Sequence, residues 1–556
     1  MHRRRRVSPF DHAHLTRRDL LKLGLGVAGA AAVGELALPG AALAGGGGPP
    51  PTPIRFTPFT RELPTPGNGG ISILKAGATF TTDCAFASAK EPNKYLVHMK
   101  RARVEIIPGV QTEIFGYEGQ YPGPTIVGHI GTPDVVRFVN KSDDSATPSP
   151  DDLGVETSIH QHGGHNPSTS DGLPMADLLI FPGKFRDYCY PNEPTGAADG
   201  DPDPNDNPST LWYHDHATDI TGENVYRGLA GLYPTTDALE DGLIAAGTLP
   251  PVGSAFDVPL VLQDRRFNAD GSLFYNPFEH DGFLGDVFVV NGKAQPAFHV
   301  QARKYRFRFL NGSNARMYLV RLSNGRPFLQ IGADSWLLPF PIQRDRILFG
   351  MAERADVIVD FGGLQGQVVF LENILVQDSG RGPGGDLANP DVRVPGTQLV
   401  KFIVGPGAPD GDLDITRDTA LRPNTPIGRN EIVRTRTFEF NRSQGAWQVN
   451  GQFYDENRSD AGPKRATAER WILKNGGGGW WHPIHIHLEA HQVQAFNGRP
   501  PPLYNSFKKD TTLLGPGDQA DVFLRFRDRP GRFVTHCHNL EHEDDRMMFR
   551  WDVVES

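Results

Sequence analysis

Cysteine and methionine are scarce in this chain of 556 residues, with three of the first and seven of the second. So few cysteines exclude a fold stapled by many disulfides. Long apolar runs are missing beyond the N-terminus, so no later segment could span a membrane. Convincing amphipathic helical patterns are few, which points to a mainly β fold. A basic balance is missing too: the formal charge is −9. Residues 1–44 carry more basic than acidic side chains, so the remainder is more acidic still. Such a chain is a poor nucleic-acid binder. Disorder is excluded by 38% apolar content arranged in regular β-branched and aromatic runs.

Glycine (63) and proline (47) are plentiful, in keeping with many turns between short strands. The length suggests about three domains of roughly 150 residues each. Arg3 to Arg6, then Thr16-Arg-Arg-Asp-Leu-Leu-Lys22, then a short apolar run to Ala42-Leu-Ala44 form a signal peptide of the twin-arginine kind. Residues 1–44 are thus expected to engage the twin-arginine export machinery and deliver the protein to periplasm, envelope or exterior. A retained anchor is the plainer alternative. Residues 45–70, rich in glycine and proline, read as a linker.

Period-2 alternation marks strands at Lys304–Phe309 and Asp521–Phe526. An alternating strand ending in asparagine recurs three times, as Asp134–Asn140, Tyr305–Asn311 and Arg470–Asn475. A second match relates Glu353–Phe361 to Asp518–Phe526. These periods fit three tandem β-sandwich domains, at 71–240, 250–405 and 431–556, with a linker at 406–430. A histidine cluster follows Asn140 and Asn475 but not Asn311, where Ala315, Arg316, Met317 and Tyr318 stand instead. The first and third domains are therefore expected to bear metal and the middle one to space and close the assembly.

The chemistry concentrates in His536-Cys537-His538, with His542 and Met547 close behind. One thiolate, imidazoles and a thioether suit copper. On a strand, alternation sends Cys537 to one face and both histidines to the other, so one tripeptide could join two metal centres. Ten of the 19 histidines fall in four clusters: His160/His162, His214/His216, His482/His485/His487 and His536/His538/His542. Neutral imidazoles two apart on a strand point the same way and can serve one site or adjacent metals. His165 and His491 lie near clusters and read as bystanders. Cys84 and Cys189 remain either a disulfide or two buried thiols.

Through these four motifs, the chain from about residue 80 onward resembles the multicopper oxidases, three-domain enzymes of cupredoxin type. Within the family it is most similar to the branch of bacterial spore-coat laccase, bilirubin oxidase and phenoxazinone synthase. The resemblance is carried by His160-Gln-His-Gly-Gly164, Ser170-Asp-Gly172, Leu211-Trp-Tyr-His-Asp-His216 and His536-Cys-His-Asn-Leu-Glu-His-Glu543. It implies an all-β fold of three tandem cupredoxin-like Greek-key sandwiches and four copper ions. Cys537, His482 and His542 would hold a type 1 copper, with Met547 as weak axial ligand. His160 and His485 would hold type 2 copper. His162, His214, His216, His487, His536 and His538 would hold the type 3 pair. Glu543 and Asp171 match proton-carrying acids of the branch, with structural hydrogen-bond acceptors as the plainer reading.

The activity implied is one-electron oxidation of phenolic, aminophenolic or tetrapyrrole-like donors coupled to reduction of O2 to water, by a monomer. A metal-ion oxidase acting on Mn(II), Fe(II) or Cu(I) is the alternative. The absence of any methionine cluster demotes Cu(I). A scaffold that has lost its coppers is a third reading, opposed by the complete ligand set. Trp480 and Trp481, before His482, would either stack on a donor or pack over the copper. Loops around 376–400 and 498–510 would decide the donor.

Overall fold

The computed structural model describes residues 52–88, 90–143, 154–407 and 411–555, and the twin-arginine segment lies outside them. Six sheets pair into three sandwiches. Their strands run from Asn93–Glu105 to Ala230–Thr236, from Asp257–Phe267 to Val392–Gly407, and from Ile432–Ser443 to Met548–Val553. Each unit buries its own apolar core, centred on Tyr117, Phe138 and Tyr213, on Phe307, Phe309 and Phe402, and on Trp471, Phe526 and Trp551. The all-β fold of three tandem sandwiches read from the sequence is the fold of the chain.

The sequence repeat is a structural repeat. Asp134–Lys141, Lys304–Asn311 and Thr467–Asn475 each pair parallel with an earlier strand of their unit and antiparallel with a later one. The closing asparagine has one task in all three. Its amide donates to Val155 O (2.7 Å) and Ile180 O (2.8 Å) from Asn140, and to Arg316 O (2.8 Å) and Phe349 O (3.3 Å) from Asn311. From Asn475 it donates to Trp480 O (2.7 Å) and Gly515 O (2.9 Å). Its side-chain oxygen accepts the N–H two residues onward each time. A short amide with both donors and acceptor used clamps the strand exit to the segments around it. The second match falls on Arg354–Asp360 and Gln519–Phe526, the antiparallel partners of the repeat strands.

Alternation in Lys304–Asn311 does not leave one face in water. Tyr305, Phe307 and Phe309 enter the core while Arg306 and Arg308 are buried against the first unit. Arg306 pairs with Glu240 at 2.5 Å and Asp356 at 2.6 Å, and Arg308 with Asp257 at 2.8 Å. Buried guanidinium needs such partners. Cys84 and Cys189 form a disulfide, with Cα atoms 5.6 Å apart. From Thr52 onward, the stretch read as a linker lies along the middle unit. Leu63 is buried in that unit's core and its N–H donates to Ala297 O at 2.7 Å.

Candidate metal centre

Strand register gathers the donors. His160 in Ile159–His162 pairs with His214 in Thr210–Asp215. Across His482–Ile486 and Gly531–Cys537, His485 pairs with His536 and Ile484 with Cys537. Neighbours on a strand face opposite ways, so Cys537 turns into the third unit's core while His536 turns out of it. Beyond the strand end, the His538 N–H donates to Pro483 O at 2.7 Å.

On the thiol side, Cys537 Sγ lies 3.4 Å from His482 Nδ1 and 3.5 Å from His542 Nδ1, and these nitrogens are 3.1 Å apart. All three side chains are buried. His542 sits on the short helix Leu540–Asp544. Met547 shares the apolar cluster of Cys537, and its carbonyl accepts the Cys537 N–H at 3.0 Å. Met548 instead pairs with His536 and packs with Leu173 and Val534. Burial pushes the Cys537 thiol well above its ordinary range. A thiol in that position becomes a thiolate when a cation binds it.

On the other side eight buried histidines converge. Three groups offer donor atoms within 4.8 Å of one another: His160, His162 and His214; His160, His485 and His487; His216, His487 and His536. His538 belongs to none of these triplets, but its ring is 5.2 Å from those of His162 and His214. The outer nitrogens are tied down. His160 Nδ1 donates to Asp171 O at 2.5 Å, His214 Nδ1 to Asp215 O at 2.8 Å and His485 Nδ1 to Asp510 O at 2.9 Å. His487 Nδ1 and Asp171 Oδ2 share a hydrogen bond of 2.7 Å. Gly172 lets this loop close: a Cβ there would lie 2.1 Å from Ile159 O.

With Nδ1 donating, Nε2 of each neutral ring carries a lone pair. His160 Nε2 faces His485 Nε2 at 3.3 Å, and His536 Nε2 faces those of His216 (3.1 Å) and His487 (3.2 Å). Burial is the leading cause that holds His160, His485 and His487 well below the ordinary imidazole range and lowers His214 to about 3 and His216 to about 4. Between His160 and His485, whose Nδ1 atoms both donate to carbonyls, two lone pairs converge with no proton between them, which a cation would relieve. The donor set is thus soft on one side and imidazole-rich on the other, and both fit copper.

Two acids border the histidines. Glu543 lies 3.0 Å from His536 Nδ1 and 3.7 Å from His216 Nδ1. Burial would lift its carboxyl, yet His536 and His216 hold it at about 2. Asp171, fully buried, is pushed well above its ordinary range by burial. Glu543 also lines a cleft of about 500 Å³ bounded by Tyr454, Asp455, Arg458 and Arg546. His165 contacts Asp528 at 2.6 Å and His491 contacts Thr512 at 2.7 Å, and neither joins a donor group among the described residues. Trp481 is buried beside Leu513, whereas half-buried Trp480 donates to Asp281 Oδ1 at 3.0 Å under the Arg381 guanidinium. Sequence reasoning missed Asp510, whose Oδ1 is 3.1 Å from His162 Nε2, and Arg354, which pairs with it. The one local trace is Gly163, where a side chain would collide with Ser335 and Asp510.

Descriptions of multicopper oxidase domains match residues 98–238 and 427–556. A bilirubin oxidase from Albifimbria verrucaria is 35% identical over 513 residues, covering 90% of this chain and 82% of that one. The chain belongs to the multicopper oxidase family. A laccase from Bacillus subtilis (strain 168) is 32% identical over 84% of this oxidase and 95% of its own length. Among solved structures, a multi-copper oxidase from Pediococcus acidilactici superposes with a TM-score of 0.73 at 27% identity, covering 92% of this chain and 95% of that one. McoA from Aquifex aeolicus gives 0.72 at 26%, over 89% and 99%. As a laccase-like multicopper oxidase, the protein is a copper oxidoreductase that takes electrons from small molecules and uses O2 as acceptor.

Proposed function

We propose that the two donor groups hold four coppers and that the donor is a phenol, aminophenol or tetrapyrrole-like molecule. His482, Cys537 and His542, with Met547 as weak axial donor, would hold one copper. The eight converging histidines would hold three, His160 and His485 one of them and the remaining six a pair. When bound, copper supplies one-electron acceptance at the Cys537 end and four-electron reduction of O2 to water at the histidine end. The observation that carries this reading is covalent continuity: Cys537, in one donor group, is bonded to His536, in the other.

The chain's own residues do the rest. Burial of both groups keeps bulk water off them. Asp171 orients two histidines, through its carbonyl and its carboxylate, and so fixes which nitrogen each ring presents. Water formation consumes protons, and Glu543 stands between the open cleft and His536 and His216, where a carboxyl can pass them inward. On the entry side, Trp447 lies over His542 with ring centres 3.9 Å apart, and Trp480 and Arg381 cover the same region. An aromatic face backed by guanidinium suits a planar, electron-rich donor. The relatives named laccase and bilirubin oxidase support the same donor class. Export by the twin-arginine route, as a monomer, completes the reading; that route carries folded proteins, which suits metals shared between units.

The test is O2 uptake by copper-loaded protein against a phenol, an aminophenol, bilirubin, Mn(II), Fe(II) and Cu(I). Fast uptake with the organic donors is the expected result, and uptake with metal ions alone would overturn the donor class.

A further inference from the structure

The middle unit offers no donor to either group, yet it reaches the histidines. Arg354, at the start of Arg354–Asp360, is buried. Its Nη1 donates to Asp510 Oδ1 at 2.9 Å and its Nη2 donates to Asp510 Oδ2. The same side chain reaches the first unit through Nε, which donates to Thr210 O at 3.3 Å. Ser335 donates to Asp510 Oδ2 at 3.2 Å, and Asp334 accepts the Asp510 and Thr511 N–H groups at 3.1 Å each. Lys509 Nζ, 3.2 Å away, neutralises Asp334. Asp510 is thereby seated by the middle unit.

What Asp510 faces is His162. Its Oδ1 lies 3.1 Å from His162 Nε2, and Thr511 Oγ1 is 3.4 Å from the same nitrogen. An ionised carboxylate only accepts hydrogen bonds, so the proton between the two belongs to Nε2 and the lone pair of the neutral ring falls on Nδ1. That Nδ1 is buried and has no hydrogen-bond partner. His160, His214, His485 and His487 are tied the other way, with Nδ1 outward. Asp510, His162 and His485 also lie close enough to hold a cation themselves. Both Asp510 oxygens are already engaged by guanidinium, which leaves that carboxylate poor at taking a second cation. The network also presses on the main chain. A Cβ at Gly163, where φ is +84°, would lie 2.0 Å from Ser335 Oγ and 2.8 Å from Asp510 Oδ2. The glycine after His162 makes room for the pair.

We infer that Arg354 and Asp510 are a positioning pair, given by the middle and third units, that fixes the Nε2–H tautomer of His162 and leaves Nδ1 for copper. The inference rests on the proposed ligand role of His162. Asp510 adds a second hold, because its carbonyl fixes His485. Groups that orient a metal-bound histidine typically carry 10–100-fold in metal affinity.

The test is copper retained per chain against graded chelator, read together with the blue thiolate–copper absorption and the spin-resonance signal of the histidine-bound copper. Arg354→Gln and Asp510→Asn should each release copper from the histidine group at about 10–100-fold lower chelator strength, with the blue absorption unchanged. Arg354→Lys should fall between, since one ammonium cannot span both carboxylate oxygens. In a His162→Ala background, Arg354→Gln should cost clearly less copper than it does alone, the remainder acting through the Asp510 carbonyl on His485. Asp510→Asn keeps the side-chain volume and decides the matter if Arg354→Gln does not fold. Full copper affinity in Asp510→Asn, or an undiminished loss from Arg354→Gln beside His162→Ala, would overturn the inference. If His162→Ala itself keeps every copper equivalent, the ligand reading falls with it. If His162→Ala loses copper while the two network variants keep theirs, the inference alone fails.

Discussion

The Cys537 group sits inside one apolar core, with Cys537 and Met547 packed among Trp447, Trp471 and Phe549 of a single unit. The eight-histidine group lies across two units whose contact joins an apolar patch of Leu173, Met175, Val534 and Met548 to several ion pairs. Arg527 meets Asp203 at 3.1 Å, Lys508 meets Asp206 at 2.9 Å and His165 meets Asp528 at 2.6 Å. The donors of the first site all come from one unit, although the helix that carries His542 leans on the middle unit, where Asp281 O lies 3.3 Å from His542 Nε2 and Asn314 donates to Glu541 Oε1 at 2.9 Å. The second depends on two units docking and on a third supplying Arg354. Copper loading at the histidines should therefore respond more strongly to the contact between the first and third units than loading at Cys537 does.

The largest expected effects separate the two ends. Cys537→Ser should abolish turnover and the blue absorption while the histidine group keeps its copper; retained blue colour would remove Cys537 from the site. His214→Ala should also abolish O2 consumption, yet the blue absorption should still bleach when a donor is added without air. O2 uptake at the wild-type rate in that variant would sink the division of labour.

A smaller effect probes the interface. Arg527→Ala leaves Asp206 buried with Lys508 as its remaining cation, and removing one partner of a buried pair costs about 3 kcal/mol. Thermal unfolding should shift downward, with the histidine copper released before the blue copper; simultaneous release would contradict the contrast. The smallest effects compare the asparagine clamps. Asn311→Ala and Asn475→Ala should each cost about 1–3 kcal/mol by orphaning buried carbonyls. Only Asn475→Ala should shift the blue absorption, because its amide holds Trp480 O two residues before His482. Equal spectra in both would make the clamp purely structural.

The two candidate donor groups were legible because each comes from short local patterns: two residues apart on a strand, or a turn of chain after it. The repeat was legible through Asn140, Asn311 and Asn475, since a clamp at the strand exit needs one residue type at one place. Asp510 and Arg354 were not. They lie far apart in sequence, carry no local period, and acquire meaning only when three units meet. Gly163 was visible, but what would collide with its side chain was not. The Cys84–Cys189 pairing stayed open for the same reason, as spacing carries no distance, and the packed stretch around Leu63 looked like a linker because composition cannot register burial.

The most direct test of the account is the stoichiometry of turnover with a phenolic donor. The account predicts four donor molecules oxidised by one electron for each O2 consumed, with no hydrogen peroxide released. Two per O2, with peroxide accumulating, would contradict it, because a lone thiolate–copper site without the histidine group would then suffice.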